Sequence, residues 1–187
     1  MEKPIFNAKV VLVGNSGVGK TTYVNRLKTG EFRKFHIPTL GVETLSTVKF
    51  QTSHGPISFE LWDTAGKERF SGLKDGYYME ADAFLILVDV CNSDSCNSIN
   101  KWHHDVHRCC PSIPCVVVGN KSDSFNGRYS HRSLQQTTTK LGNSSYVEIS
   151  CKSLFHLQLP LEIIASKLLE DQDLQFLSLP TNDIIED

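Results

Sequence analysis

The hydrophobic and polar positions of this chain follow two alternating periods, one typical of strands and one typical of helices. Short apolar or alternating runs predict six strands, at residues 10–13, 44–51, 57–62, 84–90, 115–119 and 146–149. Longer amphipathic patterns predict about five helices, at residues 22–28, 77–81, 97–108, 132–141 and 159–169. This order indicates an α/β fold with one six-stranded, mostly parallel sheet and helices on both faces.

The pattern predicts one globular domain over residues 1–169 and an acidic tail over residues 170–187. The turn-prone residues 52–56 predict a hairpin, so the strand before Ile57 should form an antiparallel edge of the sheet. Ligands of such sheets bind beyond the carboxyl ends of the parallel strands. Most of the polar motifs of this chain follow predicted strands and should lie there.

Composition and charge then exclude several classes of protein. The net charge of −2 argues against a nucleic-acid partner, and 40 % apolar with 21 % charged residues is typical of a globular domain. No run of 18 apolar residues occurs, Glu2 stands where myristoylation requires glycine, and the last residues hold no cysteine for prenylation. We therefore expect a soluble monomer without a membrane anchor.

Six cysteines are present, and none forms a C-x-x-C pair. This pattern favours six reduced thiols in a cytosolic or nuclear protein. The alternative is a metal site around His103, His107 and Cys110, because the two histidines are four residues apart and share a helix face. That set lacks a complete tetrahedral ligand shell, so the thiol interpretation is favoured.

The segment Gly14–Thr21 reads G-x-x-x-x-G-K-[ST] between a predicted strand and a predicted helix. A phosphate-binding loop requires this context, whereas an ordinary glycine turn does not. Backbone N–H groups of such a loop cradle phosphate oxygens, and the helix N-terminus adds a positive dipole. Lys20 should reach the β- and γ-phosphates, and the Thr21 hydroxyl should coordinate Mg²⁺.

A second motif, Asp63-Thr64-Ala65-Gly66, ends another predicted strand. Asp63 can hold Mg²⁺, usually through water, and the Gly66 N–H can approach the γ-phosphate. The hydroxyl of Thr39, in a polar segment after the first helix, could complete the metal shell. D-x-x-G alone is common in turns, so it indicates a nucleotide site here only because the chain also contains a phosphate loop.

A third motif, N-K-x-D at residues 120–123, follows the strand at 115–119. The Asp123 carboxylate can accept hydrogen bonds from guanine N1–H and the exocyclic amine together, a donor pair that adenine lacks. Asn120 would brace the loops, and the Lys121 stem would cover the base. A polar turn would fit the motif equally well in isolation. Backbone N–H groups of residues 150–152 could meet guanine O6.

These motifs occur in the order found in small Ras-like GTPases, and within that family the chain resembles the Ran branch. The stretches that carry the Ran resemblance are residues 29–32, 39–43, 55–57, 72–78, 102–103 and 113–114. The resemblance implies a nucleotide-dependent switch for nuclear transport receptors, served by an exchange factor and a GTPase-activating protein, in nucleus and cytoplasm. It also implies switch regions at residues 29–41 and 63–78, with Phe32 near the base.

Motifs and resemblance together predict one site for GTP or GDP with Mg²⁺. The predicted nucleotide-binding residues are Asn15, Ser16, Gly17, Val18, Gly19, Lys20, Thr21, Thr22, Phe32, Thr39, Gly66, Asn120, Lys121, Asp123, Ser150, Cys151 and Lys152. The predicted metal ligands are Thr21, Thr39 and Asp63. The predicted catalytic positions are Lys20, Thr39 and Lys67.

Lys67 departs from the family, which usually has glutamine there to orient the attacking water. A lysine ammonium only donates hydrogen bonds, so we expect GTP binding with slow hydrolysis and a poor response to an activating protein. One alternative is a GTP-locked binding module with negligible turnover. Another is a Rab-like vesicle-traffic GTPase, which the phosphate loop permits but the cysteine-free tail opposes.

The tail is the other departure, because it is short and lacks the longer acidic run of Ran-like proteins. In those proteins the tail docks on the body in the GDP state, and fewer charges would weaken that clasp. We expect docking here through apolar burial of Leu174, Phe176, Leu177 and Leu179.

Overall fold

The computed structural model describes residues 6–32, 44–64, 74–124, 127–178 and 180. Their six strands form one sheet in the order β2-β3-β1-β4-β5-β6. The strands are β1 Phe6–Val13, β2 Thr44–Thr52, β3 Gly55–Asp63, β4 Ala83–Asp89, β5 Cys115–Asn120 and β6 Ser144–Glu148. Neighbours pair in parallel except β2 and β3, which are antiparallel. The predicted sheet and its antiparallel edge are therefore confirmed.

The described residues also form six helices. They are α1 Lys20–Thr29, α2 Lys74–Tyr78, α3 Ser93–Asn97, α4 Ile99–Cys109, α5 His131–Thr139 and α6 Leu159–Leu168. The predicted helix at 97–108 was wrong at its start, since the chain forms two helices that meet at Ser98. The helix predicted at 77–81 ends earlier, at Tyr78, and Glu80 has a left-handed φ of 59°.

Alternation along β1 explains why helices cover both faces. Ala8, Val10 and Leu12 point to one face, where they join a core that includes residues of α1 and α6. Val11 and Val13 point to the other face, where they join a core with residues of α2, α4 and α5. Both cores are apolar and buried, so the sheet is a rigid support for the loops at its carboxyl edge.

The register of the paired strands places the loops that follow them side by side. Leu12 of β1 is opposite Asp63 of β3, so the phosphate loop and the Asp63 loop leave the sheet together. Asp89 of β4 is opposite Asn120 of β5, which brings the N-K-x-D loop to the same edge. The carboxyl ends of β1, β3 and β5 thus bring these three candidate segments to one rim.

After α6 the chain returns to the outer edge of β2. Phe176 forms an isolated antiparallel bridge with Thr52, and its ring stacks on Phe50 with centroids 4.3 Å apart. Leu174 is 4 % exposed, whereas Leu177 is 63 % exposed. Apolar docking of the tail is confirmed for Leu174 and Phe176 and wrong for Leu177. Leu179 lies outside the described residues.

All six cysteines are free thiols. The rings of His103 and His107 do share a face of α4, with centroids 4.0 Å apart, but the Cys110 thiol donates to the carbonyl of Tyr78. Among the described residues, no three His, Cys, Asp or Glu side chains are grouped to hold a metal. In the same residues, none of the helices is both long enough and apolar enough to span a membrane.

Candidate functional site

The loop between β1 and α1 has the backbone of a phosphate cradle. Gly14, Gly17 and Gly19 have φ values of 139°, 80° and 104°, which side chains with a Cβ rarely adopt. A Cβ on Gly14 would lie 2.2 Å from the Leu87 carbonyl oxygen, so the loop rests directly on β4. The predicted residues Ser16, Val18 and Thr22 belong to this loop and the first turn of α1.

Lys20 opens α1 and turns back over the loop. Its ammonium donates to the carbonyl oxygens of Gly14 at 2.5 Å and Asn15 at 3.1 Å, and the residue is only 5 % exposed. The positive charge is therefore held at the mouth of the cradle, where the helix N-terminus also points. The contact predicted between Lys20 and the β- and γ-phosphates stays a prediction.

Asp63 at the end of β3 is a buried carboxylate that fits a cation. Neither of its oxygens has a hydrogen bond of normal geometry among the described residues, and the residue is fully buried. Burial raises the pKa of Asp63, while the Thr21 hydroxyl and the Lys20 ammonium lie close enough to oppose that rise. A buried, unsatisfied carboxylate beside a hydroxyl offers the hard oxygen ligands that Mg²⁺ prefers.

Thr39, Gly66 and Lys67, which the sequence predicts to act at this site, lie outside the described residues. Their predicted roles therefore remain predictions. Thr64, the last described residue before Gly66, donates its hydroxyl to the Leu12 carbonyl at 2.7 Å, which fixes the end of β3 to β1.

Asn120 joins three loops. Its amide nitrogen donates to the Val18 carbonyl at 2.9 Å, and its amide oxygen accepts from the Cys151 N–H at 3.3 Å. A Cβ on Gly19 would lie 2.4 Å from that amide nitrogen, so glycine is required for this contact. The bracing role predicted for Asn120 is what these contacts provide.

Lys121 belongs to the N-K-x-D loop at residues 120–123, the base loop, and links it to the phosphate loop and to β4. Its ammonium donates to the Gly17 carbonyl at 2.9 Å and to the Asp89 carboxylate at 2.7 Å. The backbone of Lys121 has a left-handed φ of 65°, which turns its stem across the rim. Sequence reasoning missed Asp89, although its place at the end of β4 was a usable signal.

Asp123, predicted to read the base, has two partners that orient its carboxylate. The Ser150 hydroxyl donates to one of its oxygens at 2.7 Å, and the Lys152 ammonium lies 3.5 Å from the other. Burial alone would raise the pKa of Asp123, but the hydrogen bond from Ser150 and the charge of Lys152 hold it below its usual value. The carboxylate is thus ionised and oriented as an acceptor.

Three further hydrogen bonds at the rim were not expected from the sequence. Asn15 accepts hydrogen bonds from the Trp102 indole and the Ser98 hydroxyl, and Arg128 donates to the Ser122 carbonyl at 3.2 Å. Phe32, predicted near the base, is 38 % exposed at the end of a described stretch.

One edge of the mostly parallel sheet therefore brings together the G-x-x-x-x-G-K-[ST] loop, the buried Asp63 carboxylate and the N-K-x-D loop. A family model for the Ras family matches residues 9–170. This chain belongs to the Ras family of small GTPases. Members of that family bind GTP or GDP together with Mg²⁺ and respond to exchange factors and GTPase-activating proteins. The described fold is the one this family requires.

Proposed function

We propose that this Ras-family GTPase is a Ran-type switch with slow GTP hydrolysis, which binds importin- or exportin-like receptors in nucleus and cytoplasm. The assignment to the Ran branch is supported by the Gly-Leu-x-Asp-Gly-Tyr-Tyr stretch at residues 72–78. Its described part forms α2, and Tyr78 packs edge-on against Phe84 with centroids 5.4 Å apart. The tail residues docked on β2 are consistent with the same branch.

The described residues account for recognition of both ends of the nucleotide. Asp123 accepts a hydrogen bond from Ser150, and its carboxylate would accept the two N–H donors on the guanine edge. Loop N–H groups and Lys20 neutralise the phosphate charge at the N-terminus of α1. Thr21 and Asp63 would hold Mg²⁺, which when bound neutralises charge on the phosphates. Asn120 and Lys121 keep the two ends in register.

Slow turnover follows from the chemistry of Lys67. Orienting the attacking water needs an acceptor, and an ammonium has three donors and none. Pairing with the γ-phosphate would stabilise the bound ground state and leave the chemical step no faster. Loss of one well-placed transition-state group typically costs about 10²–10³ in rate.

Lys67 also favours a second candidate function, a GTP-locked docking protein with negligible turnover. A single-turnover assay with GTP and Mg²⁺ separates the two, since a slow switch should release phosphate within hours. Lys67→Gln should raise the rate, with a further rise on adding a Ran-type activating protein. An unchanged rate in Lys67→Gln would reject the role given to Lys67.

The branch assignment needs its own experiment. Protein loaded with a non-hydrolysable GTP analogue should retain importin-β-type receptors in a pull-down, and protein loaded with GDP should not. Capture of Rab-type effectors instead would favour the vesicle-traffic alternative. Mass analysis of the co-purified nucleotide adds a check, because slow turnover predicts GTP.

A further inference from the structure

We propose that Ser98 and Trp102 are positioning residues that brace the phosphate loop through Asn15, and that slow nucleotide release depends on this brace. The inference rests on nucleotide binding in the proposed function and adds a device that the phosphate-loop motif does not contain. The supporting observation is that the Asn15 side chain of the loop contacts α3, α4 and the residue between them.

The Asn15 side chain is tied at both ends. Its oxygen accepts from the Trp102 indole N–H at 2.8 Å and from the Ser98 hydroxyl at 3.0 Å. Its nitrogen lies 3.4 Å from the Asp94 carbonyl oxygen, to which it donates. All three partners belong to α3, α4 or the residue between them.

Trp102, one of the two donors to the Asn15 oxygen, is buried in the core. Trp102 is 2 % exposed and belongs to the core that contains Val13, the last residue of β1. The indole N–H therefore has a fixed position relative to the start of the loop. The Ser98 hydroxyl has a single proton, which is shared between the Asn15 oxygen at 3.0 Å and the Ser95 carbonyl oxygen at 2.7 Å, so Ser98 is the weaker of the two donors.

The loop needs such an anchor, because its glycines do not restrain it. Three of its residues are glycines at positive φ, and glycine loses more conformational entropy on ordering than other residues. The Asn15 carbonyl also accepts a hydrogen bond from the Lys20 ammonium at 3.1 Å. A fixed Asn15 therefore orders the backbone that faces the phosphates and steadies the lysine that binds them, which is preorganisation of the site.

The alternative is that Trp102 only fills the core and its N–H is incidental. Removing the N–H with little change of volume separates the two explanations, so Trp102→Phe is the main variant. Ser98→Ala removes the second donor without touching the core. Lys101→Ala is the matched control, because Lys101 is exposed on the same helix.

The first measurement is the dissociation rate of fluorescently labelled GDP, followed with excess unlabelled GDP. Trp102→Phe should raise that rate about 3- to 30-fold and Ser98→Ala about 2- to 10-fold, as the loss of one hydrogen bond predicts. Asn15→Leu should raise it as much as Trp102→Phe, and the double variant should add little, because both remove the same contact. Rates within twofold of wild type in Trp102→Phe and Ser98→Ala would overturn the proposal.

The second measurement does not depend on the nucleotide. Amide hydrogen exchange over residues 14–20 of nucleotide-free protein should be faster in Trp102→Phe and Ser98→Ala than in Lys101→Ala. Faster exchange without any GDP binding by wild type would refute the proposed function and keep the brace. Unchanged exchange and unchanged release in the two brace variants, with wild type binding GDP, would refute the brace alone.

Discussion

The side-chain nitrogen of Asn120 donates a hydrogen bond to the backbone carbonyl of Val18 over 2.9 Å. The two residues are 102 positions apart in the sequence, and the bond ties the base loop to the phosphate loop. The other end of the same amide accepts from the Cys151 N–H. The distance between the two halves of the nucleotide site is therefore fixed by protein contacts.

Replacing Asn120 with alanine should weaken both the fold and the site. The buried Cys151 N–H and Val18 carbonyl would lose their partner, which costs about 1–3 kcal/mol of unfolding free energy. GDP affinity should fall at least tenfold, measured by calorimetry at a temperature where the variant is folded. Asn143→Ala, at an exposed position, is the control and should leave affinity unchanged. Equal GDP affinity in Asn120→Ala and wild type would contradict the bracing role.

Asp123 leads to a prediction about pH. The pKa of Asp123 is held below its usual value, so the carboxylate stays ionised to a lower pH than a free aspartate. Its contribution to folding stability is fully present above the unfolded pKa and is lost only as the pH falls through the lower folded pKa. The preference for GDP over inosine diphosphate, which lacks the exocyclic amine, should therefore be constant between pH 5 and 7.5. The ratio of the two dissociation constants, which cancels phosphate ionisation, is the quantity to measure. A ratio that collapses near pH 6 would show that another group reads the base.

Asp63→Asn should stabilise the protein when no nucleotide or magnesium is bound. It should also abolish the effect of magnesium on GDP binding. Because burial raises the pKa of Asp63 in the folded state, the ionised carboxylate lowers stability at every pH above that folded pKa. A neutral amide should raise the melting temperature in EDTA by about 2–4 °C, as expected for about 1 kcal/mol. Added Mg²⁺ should tighten GDP binding in wild type and have no effect in the variant. Retained magnesium dependence would remove Asp63 from the metal shell.

Alanine substitutions at two glycines with positive φ distinguish the cost of backbone strain from the cost of a steric clash. Gly30→Ala meets no atom within 4 Å, so only left-handed strain of about 1–2 kcal/mol is expected. Gly14→Ala would place a Cβ 2.2 Å from the Leu87 carbonyl and should cost more than about 3 kcal/mol, because β4 cannot move aside. Urea unfolding of both variants measures the difference. Similar losses would mean that the loop does not rest on β4 as described.

The docked tail offers a test of stability that lies away from the nucleotide. Phe176 stacks on Phe50 and is half-buried, so Phe176→Ala should lower the unfolding free energy by about 2 kcal/mol. Leu177→Ala is the neighbouring control, expected to cost less than about 0.5 kcal/mol because that side chain is exposed. Equal effects at the two positions would show that the tail does not pack on β2 in solution.

The sheet and most of the site could be predicted because their signals are local. Each motif is contiguous, and each follows an apolar strand whose pattern is plain in the sequence. The short helix before Ser98 was not predicted, because residues 93–97 have weak helix propensity and the helix depends on a capping contact, in which the Asn92 side chain accepts from the Ser95 N–H at 3.0 Å. The pairing of Asn15 with Trp102 spans 87 positions and depends on how α4 packs, which periodicity does not reveal.

The central claim is that one rim of the sheet binds a guanine nucleotide at both ends. A competition titration tests it directly: labelled GDP is bound to the protein with Mg²⁺ and displaced by GTP or by ATP. GTP should displace the label at concentrations at least a hundredfold lower than ATP, and Asp123→Ala should remove most of that difference. Equal displacement by ATP and GTP from the wild-type protein would contradict the account.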